Sequence, residues 1–192
     1  MSEFDLATTV NADGSCEVHD GWDIGGNANG GYLMALAARG MLAMSGRPDP
    51  ITVTGHYLSP GRPGPARVDG DVVKSGRRFT TVTARLHRDG VPMVHLIGSF
   101  GDLSQPAAGY EHMAAGPPDL PSWDDCRPRE QRQGLLPVGL MNRLQMRLHP
   151  DQIGWVHDDK SGVAEMSGWF GFADGRPLDT LALLLVCDAF PP

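Results

Sequence analysis

The chain has 192 residues, of which 41% are hydrophobic, so it can form one large domain or two small ones around a real core. Its formal net charge of -7 disfavours a nucleic-acid-binding surface, because the overall field repels phosphate backbones. The three cysteines are odd in number and far apart, and no stretch matches a signal peptide or the roughly 20 apolar residues of a membrane span, so we expect a cytoplasmic protein.

The first predicted elements are a strand and a buried helix. "CEVHDGW" is typical of a short strand, and the glycine-rich loop "GGNANGG" leads from it into a helix from about Gly31 to Met44. Apolar residues cover every face of this helix, and Arg39 is its only charged residue. Because the helix lacks a polar stripe, protein must surround it.

Four β-strands joined by short turns follow this helix. "ITVTGHYL" is rich in β-formers, "ARVDGDVVKSG" and "RRFTTVTARLHRDG" alternate with a period of two, and "VPMVHLIGSFG" follows Asp89-Gly90, a hairpin signal. An antiparallel sheet curled around the helix satisfies this order, because its concave face can bury the helix. We therefore predict an α+β unit over residues 1–102.

A second unit is predicted beyond a proline-rich segment. Residues 103–139 contain six prolines and no sustained period, which favours an irregular connector. In residues 140–192, "LQMRLHP" and "SGVAEMSGWFGFAD" are strand-like, and "PLDTLALLLVCDAF" predicts another apolar helix with Asp179 as a cap or first-turn residue. The second part of the chain thus repeats the order of the first.

The spacing of the two predicted helices is that of a duplication. Gly31 lies nine positions after Trp22, and Leu178 lies nine positions after Trp169. Strands occupy residues 47–102 after the first helix, but only four residues follow Asp188. We therefore expect the second unit to lack strands in this chain, and residues 1–192 alone to associate through an uncovered sheet edge.

Four motifs resemble one known family. "GGNANGGYLMALAA", "HYLSPGRPG", "RDGVPMVHLIGSFG" and "GYEHM" occur in the order of the acyl-CoA thioesterase II family, and most of residues 16–188 can be laid against that pattern. The resemblance implies a double-hotdog arrangement, in which each antiparallel sheet wraps a central helix, with the second hotdog incomplete here. It also implies hydrolysis of fatty acyl-CoA without a metal or prosthetic group.

Asp188 is the predicted catalytic carboxylate. It occupies the position of a family Asp that acts with a Thr and a Gln, and these two would lie after Pro192. The two final prolines should end the second helix near Ala189, which places Asp188 in the last turn among apolar neighbours. There it would be a better general base than a surface carboxylate, although a solvated helix-end Asp is the simpler alternative.

Gly30 and Gly31 are the predicted oxyanion site. The N-terminus of a buried helix presents free N-H groups and the positive end of its dipole, which stabilise a developing oxyanion. Glycines would let the thioester approach these groups. In the alternative interpretation, the glycines only allow a sharp turn and close packing.

His56, Arg77 and Arg78 are candidates for binding the substrate. His56 follows the first helix and could point into the acyl pocket, or it could be a hydrogen-bonded strand histidine. The two arginines could bind coenzyme A phosphates, or they could be solvated turn residues. The histidines form neither HxxxH nor HExxH, so we predict no metal site.

Two alternatives to a thioesterase remain. A hotdog enoyl-CoA hydratase should present an Asp and a His a few residues apart at the mouth of the first helix, and "GGNANGG" contains neither. A noncatalytic acyl-CoA-binding or assembly protein is also consistent with these patterns. In each case we expect acyl-CoA as the ligand, no nucleic acid, and a homo-oligomer.

Overall fold

The first unit is a five-stranded antiparallel sheet packed on one long helix. The computed structural model describes residues 1–105, 112–129, 139–153 and 165–190. The strands of its larger sheet are β1 (Ser15–Val18), β4 (Asp49–Tyr57), β5 (Gly64–Ser75), β6 (Thr80–Arg88) and β7 (Val91–Gly101), and the helix is α2 (Gly30–Ser45). Across the sheet, these strands have the order β1-β5-β6-β7-β4.

The period-two pattern of the strands places alternate side chains against α2. On β6, Val82, Ala84 and Leu86 are buried. The β6–β7 hairpin turns at Asp89 and Gly90, whose φ angles are 48° and 81°. Both residues adopt the left-handed conformation that such a two-residue turn requires. The four strands and the hairpin are therefore confirmed.

Helix α2 has defined caps and a largely buried surface. The side chain of Asn29 accepts a hydrogen bond from the N-H of Tyr32, and Gly46 ends the helix with a φ of 63°. Among its residues, Leu36 is fully buried, whereas Ala43 is exposed. Two further helices, α1 (Glu3–Ala7) and α3 (Ala182–Ala189), pack on α2 on the side away from the sheet. The expectation that the sheet alone surrounds the helix is therefore corrected.

The glycine-rich loop before α2 is a small hairpin rather than an open turn. Strand β2 (Asp23–Ile24) pairs with β3 (Asn27–Ala28). The N-H of Ala28 donates to the carbonyl of Gly61 at 2.6 Å, and that of Asn29 donates to Trp22 at 2.9 Å. These bonds fix the loop on both sides of the entrance to α2.

The second unit has a three-stranded antiparallel sheet in the described residues. Its order is β10-β9-β8, with β8 (Arg127–Pro128), β9 (Leu144–Leu148) and β10 (Gly168–Phe172). Strand β8 lies inside the segment predicted as a connector, so part of that segment belongs to this sheet. Residues 106–111 and 130–138 of the connector, residues 109–111 of "GYEHM", residues 161–164 of the predicted strand, and the final two prolines lie outside the described residues.

Helix α3 begins later than the duplication argument predicts. It starts at Ala182, whose N-H donates to Asp179 Oδ1 at 2.8 Å, and Leu178 is 46% exposed. The Asp179 side chain therefore accepts from the first N-H of the helix, in agreement with the predicted position near its start. The prediction that the two helices begin at equal distances from Trp22 and Trp169 is wrong. Thr180 and Leu181 form a turn, and α3 begins only at Ala182.

An aromatic cluster joins the two units. Phe4 of α1 lies 5.7 Å from Trp22 and 5.0 Å from Phe172 of β10, measured between ring centroids. Arg176 lies over the Phe4 ring and forms an ion pair with Asp5 at 3.0 Å. The N-terminal helix therefore packs against both units. No helix in the described ranges has the length and apolar character needed to cross a membrane.

Candidate active site

The last turn of α3 brings Asp188 against the first turn of α2. Asp188 Oδ2 accepts hydrogen bonds from the N-H of Gly31 at 2.9 Å and from Asn29 Nδ2 at 2.7 Å. The carboxylate lies at the unfavourable negative end of the α3 dipole, but the positive end of the α2 dipole stabilises it. Asp188 is thus held between two helix ends.

Asn29 links the start of α2 to this carboxylate. The residue is 4% exposed, and its Oδ1 accepts from the N-H of Tyr32 at 2.9 Å while its Nδ2 donates to Asp188. Sequence reasoning missed this residue. A helix preceded by Asn signals an N-cap, but its second partner lies 159 positions away in the sequence.

Gly31 allows the close approach of the two helices. A Cβ at this position would lie 2.7 Å from the carbonyl oxygen of Leu184 and 2.9 Å from that of Leu185. Close packing therefore explains this glycine. Because the N-H of Gly31 donates to Asp188, it is not free to donate to the oxygen of a substrate.

Gly30 separates Asp188 from Tyr57. The N-H of Gly30 has no hydrogen-bond partner within the described parts of the chain, while its carbonyl accepts from the Tyr57 hydroxyl at 2.8 Å. A Cβ at Gly30 would lie 3.1 Å from both Asp188 Oδ2 and Tyr57 Cζ. Partial burial, with the nearby negative charge of Asp188, raises the pKa of Tyr57 to about 12, so its hydroxyl remains a donor.

The second carboxylate oxygen of Asp188 is accessible. Asp188 and the preceding Cys187 are exposed, so the apolar surroundings expected from the sequence are not observed. In the described ranges, no protein group is hydrogen-bonded to Oδ1 of Asp188. A water molecule can therefore reach the oxygen that Asn29 and Gly31 leave uncommitted.

The structure does not bring His56 to this site. His56 is exposed on β4 and pairs with His95 of β7. The neighbouring Gly55 faces α2, since a Cβ there would lie 3.0 Å from Met34. Side chains alternate along a strand, so His56 points to the outer face of the sheet.

Arg77 and Arg78 lie at the other end of α2. They occupy the turn between β5 and β6, and Arg47 beyond the end of α2 donates to the carbonyl of Arg77 at 3.1 Å. The 16 residues of α2 span about 24 Å. The two arginines are therefore separated from Asp188 by the length of the helix. In the described residues, no three His, Cys, Asp or Glu side chains are grouped as a metal site would require.

Comparisons with known proteins agree with this architecture. A family model described as the acyl-CoA thioesterase N-terminal domain matches residues 18–101, and one described as the acyl-CoA thioesterase C-terminal domain matches residues 117–192. No curated protein shows significant similarity to the chain.

Solved structures resemble the chain over most of its length. A candidate thioesterase II from Thermobifida fusca YX is 28% identical, with a TM-score of 0.85, and the match covers 100% of this chain and 73% of that one. A hot dog-fold protein from Alicyclobacillus acidocaldarius is 23% identical, with a TM-score of 0.86 and coverages of 100% and 70%. A candidate thioesterase from Novosphingobium aromaticivorans DSM 12444 is 22% identical, with a TM-score of 0.75 and coverages of 93% and 70%. The predicted α+β hotdog fold is confirmed.

Proposed function

Because the chain belongs to the acyl-CoA thioesterase family, as its motifs predicted, we propose that it hydrolyses acyl-CoA thioesters by carboxylate-assisted attack of water. The observation that supports this most is the meeting of Asp188, Asn29 and Gly30 at the start of α2. Thioester hydrolysis needs a group that activates water and a donor for the carbonyl oxygen. Asp188 and the N-H of Gly30 supply this pair.

In this proposal, Asp188 Oδ1 accepts a proton from water as the water oxygen bonds to the thioester carbon. The carbonyl oxygen takes the electron pair, and the N-H of Gly30 and the dipole of α2 stabilise its negative charge. The intermediate then collapses, the carbon–sulfur bond breaks, and coenzyme A leaves as a thiolate. The proton returns from Asp188 to the sulfur, which gives a free acid and coenzyme A.

Asn29 and Gly31 orient the base in this mechanism. Both donate to Oδ2 of Asp188, which holds this oxygen at the start of α2 and, in the described residues, leaves Oδ1 without a protein hydrogen bond. Fixed orientation matters because small displacements of a catalytic group reduce the rate strongly. The bonds of Asp188 to an amide and a backbone N-H, rather than to a histidine, do not favour the hydratase alternative.

The test is hydrolysis of acyl-CoA by the Asp188→Asn variant, followed by detection of the released thiol. We expect kcat to fall about 100-fold to 10,000-fold, the usual contribution of a positioned base, with an unchanged thermal midpoint. Asp179→Asn is the matched control, because it removes a carboxylate from the other end of α3. It should retain the parent kcat.

The outcomes distinguish the alternatives. Hydrolysis by Asp188→Asn at the parent rate would show that this carboxylate is not the base. If the parent and both variants bind acyl-CoA but none hydrolyses it, the chain is a noncatalytic acyl-CoA-binding protein.

A further inference from the structure

An arginine of the second unit reaches the end of the helix that carries Asp188. Arg129 directly follows β8, and its backbone N-H donates to the carbonyl of Met146 on β9 at 2.9 Å. Its side chain extends to α3, where Nη1 donates to the carbonyl of Ala189 at 3.0 Å. Ala189 is the last residue of this helix. The sheet of the second unit is therefore bonded to the residue next to Asp188.

Side chains satisfy the final carbonyls of α3. The last four carbonyls of a helix have no partner within it, so other groups must bond to them. Asn29 Nδ2 donates to the Asp188 carbonyl at 3.3 Å, and Arg129 donates to the Ala189 carbonyl. Phe190 continues in an extended conformation, rather than in the left-handed turn that ends many helices. One side chain from each unit thus caps this helix end.

The charge of Arg129 suits its position. The carbonyl dipoles make the C-terminus of a helix negative, and Asp188 adds a full negative charge in the same turn. The last turn of α3 contains no basic residue of its own. A guanidinium bonded to the final carbonyl opposes this negative charge, and a charged donor forms a stronger hydrogen bond than a neutral one. Arg129 therefore supplies the cation that the helix sequence lacks.

Packing alone does not explain an arginine here. The side chain of Arg129 is partly buried, and this burial lowers the pKa of its guanidinium, so the surroundings disfavour the charged form. An aliphatic side chain would fill the same space without this desolvation. The hydrogen bond to the end of α3 accounts for the choice of a charged donor.

The last turn of α3 transmits this contact to the base. Asp188 precedes Ala189, and its Oδ2 accepts from Asn29 at 2.7 Å and from the N-H of Gly31 at 2.9 Å. Helix ends fray readily. If the final carbonyl loses its donor, the last turn can open and carry Asp188 away from α2.

We propose that Arg129 is a positioning residue for the base, because it fixes the last turn of α3 so that Asp188 stays bonded to Asn29 and Gly31. This role rests on the proposed function, in which Asp188 activates water. Arg129 itself contacts neither the water nor the thioester in that mechanism. Its loss should lower kcat rather than raise KM, because a displaced base slows the chemical step and leaves substrate binding intact.

The first test compares Arg129→Met and Arg129→Lys in the hydrolysis of octanoyl-CoA. Methionine keeps the aliphatic volume without the charge or the donors, so kcat should fall about tenfold to 100-fold while KM stays within about twofold of the parent. Lysine restores a charged donor and should return kcat to within about threefold of the parent. Arg47→Met is the matched control, since Arg47 is also partly buried and donates to backbone carbonyls, but at the other end of α2. It should retain the parent kcat.

Amide hydrogen exchange at Gly31 reports the position of Asp188 without a substrate. The N-H of Gly31 lies in the first turn of α2, where a helix supplies no partner, so its protection depends on Asp188 Oδ2. Arg129→Met should accelerate this exchange about tenfold, the effect of losing one hydrogen bond from a charged donor, whereas Arg129→Lys should not. If Arg129→Met does not fold, Arg129→Gln removes the charge alone and should change both readouts in the same direction.

Four results would overturn the assignment. They are exchange at Gly31 in Arg129→Met at the parent rate, an unchanged kcat in Arg129→Met while Asp188→Asn loses activity, an Arg129→Lys variant no more active than Arg129→Met, or an equal loss of kcat in Arg47→Met. A parent that does not hydrolyse octanoyl-CoA, or an Asp188→Asn variant that hydrolyses it at the parent rate, would instead contradict the proposed function. Exchange at Gly31 then decides whether Arg129 holds Asp188 against α2.

Discussion

Replacing Gly31 with alanine tests the contact that holds Asp188 at the start of α2. The added Cβ would lie 2.7 Å from the carbonyl oxygen of Leu184 and 2.9 Å from that of Leu185, whereas ordinary contact begins near 3.4 Å. Both oxygens belong to the backbone of α3 and cannot rotate away. Helix α3 must therefore move back by about half an ångström, and Asp188 must move with it.

The expected cost follows from this displacement. Overpacking of this kind costs about 1–3 kcal/mol, and the better helix propensity of alanine offsets up to about 1 kcal/mol. A net loss of about 1–2 kcal/mol lowers the thermal midpoint by roughly 2–8 °C for a chain of this length. The rate of acyl-CoA hydrolysis should fall about tenfold or more, because the base is displaced from its donors.

Gly30→Ala is the matched control for this experiment. The three atoms nearest to its Cβ belong to side chains rather than to backbone: Asp188 Oδ2 and Tyr57 Cζ at 3.1 Å, and Tyr57 Cε1 at 3.2 Å. We expect an unchanged or higher thermal midpoint together with slower hydrolysis, since the methyl group obstructs the N-H of Gly30. Circular dichroism gives the midpoints and thiol release gives the rates. If Gly31→Ala keeps both the midpoint and the rate of the parent, the contact does not position Asp188.

Three further predictions concern the helices around the site. The hydrogen bond from Arg176 lowers the pKa of Asp5 from its ordinary 3.8 to about 2. The ionised Asp5 therefore stabilises the fold fully above pH 3.8, and this contribution is lost as the pH falls through 2. Asp5→Asn should therefore cost about 1–2 kcal/mol in urea denaturation at pH 7, reduced by solvent screening, and progressively less between pH 4 and pH 2. Tyr57→Phe removes the hydroxyl that donates to Gly30 and should lower kcat a few-fold. Because the pKa of Tyr57 is about 12, this substitution should not change the pH–rate profile below pH 9. A change there would contradict the role of Tyr57 as a donor. Leu36→Ala empties a fully buried position of α2 and should cost about 2–5 kcal/mol, so an unchanged urea midpoint would contradict this burial.

Local signals predicted the first unit well. The period-two strands, the Asp89-Gly90 turn and the apolar helix depend on residues close together in the sequence, and each is present. The second unit was predicted less well for the same physical reason. The short strand β8 exists because it pairs with β9, and a two-residue segment has no period of its own.

The site was only partly predictable because it joins distant parts of the chain. Asp188 and the two glycines could be proposed from helix ends and from the family resemblance, and the structure brings them together. The donor role of Asn29 and the contact of Tyr57 with Gly30 depend on how α2, α3 and β4 pack. The outer-face position of His56 likewise follows from the register of β4, which the sequence did not define.

The two adjacent glycines of α2 have different physical reasons to be glycine. Gly31 faces the backbone of α3, and without a side chain there the end of α3 can approach closely enough for Asp188 to accept its N-H. That approach also lets the α2 dipole offset the unfavourable position of a carboxylate at the end of α3. Gly30 instead meets side chains, since a Cβ there would lie 3.1 Å from both Asp188 Oδ2 and Tyr57 Cζ. Contact with backbone therefore explains the glycine at position 31, whereas contact with the Asp188 and Tyr57 side chains explains the glycine at position 30.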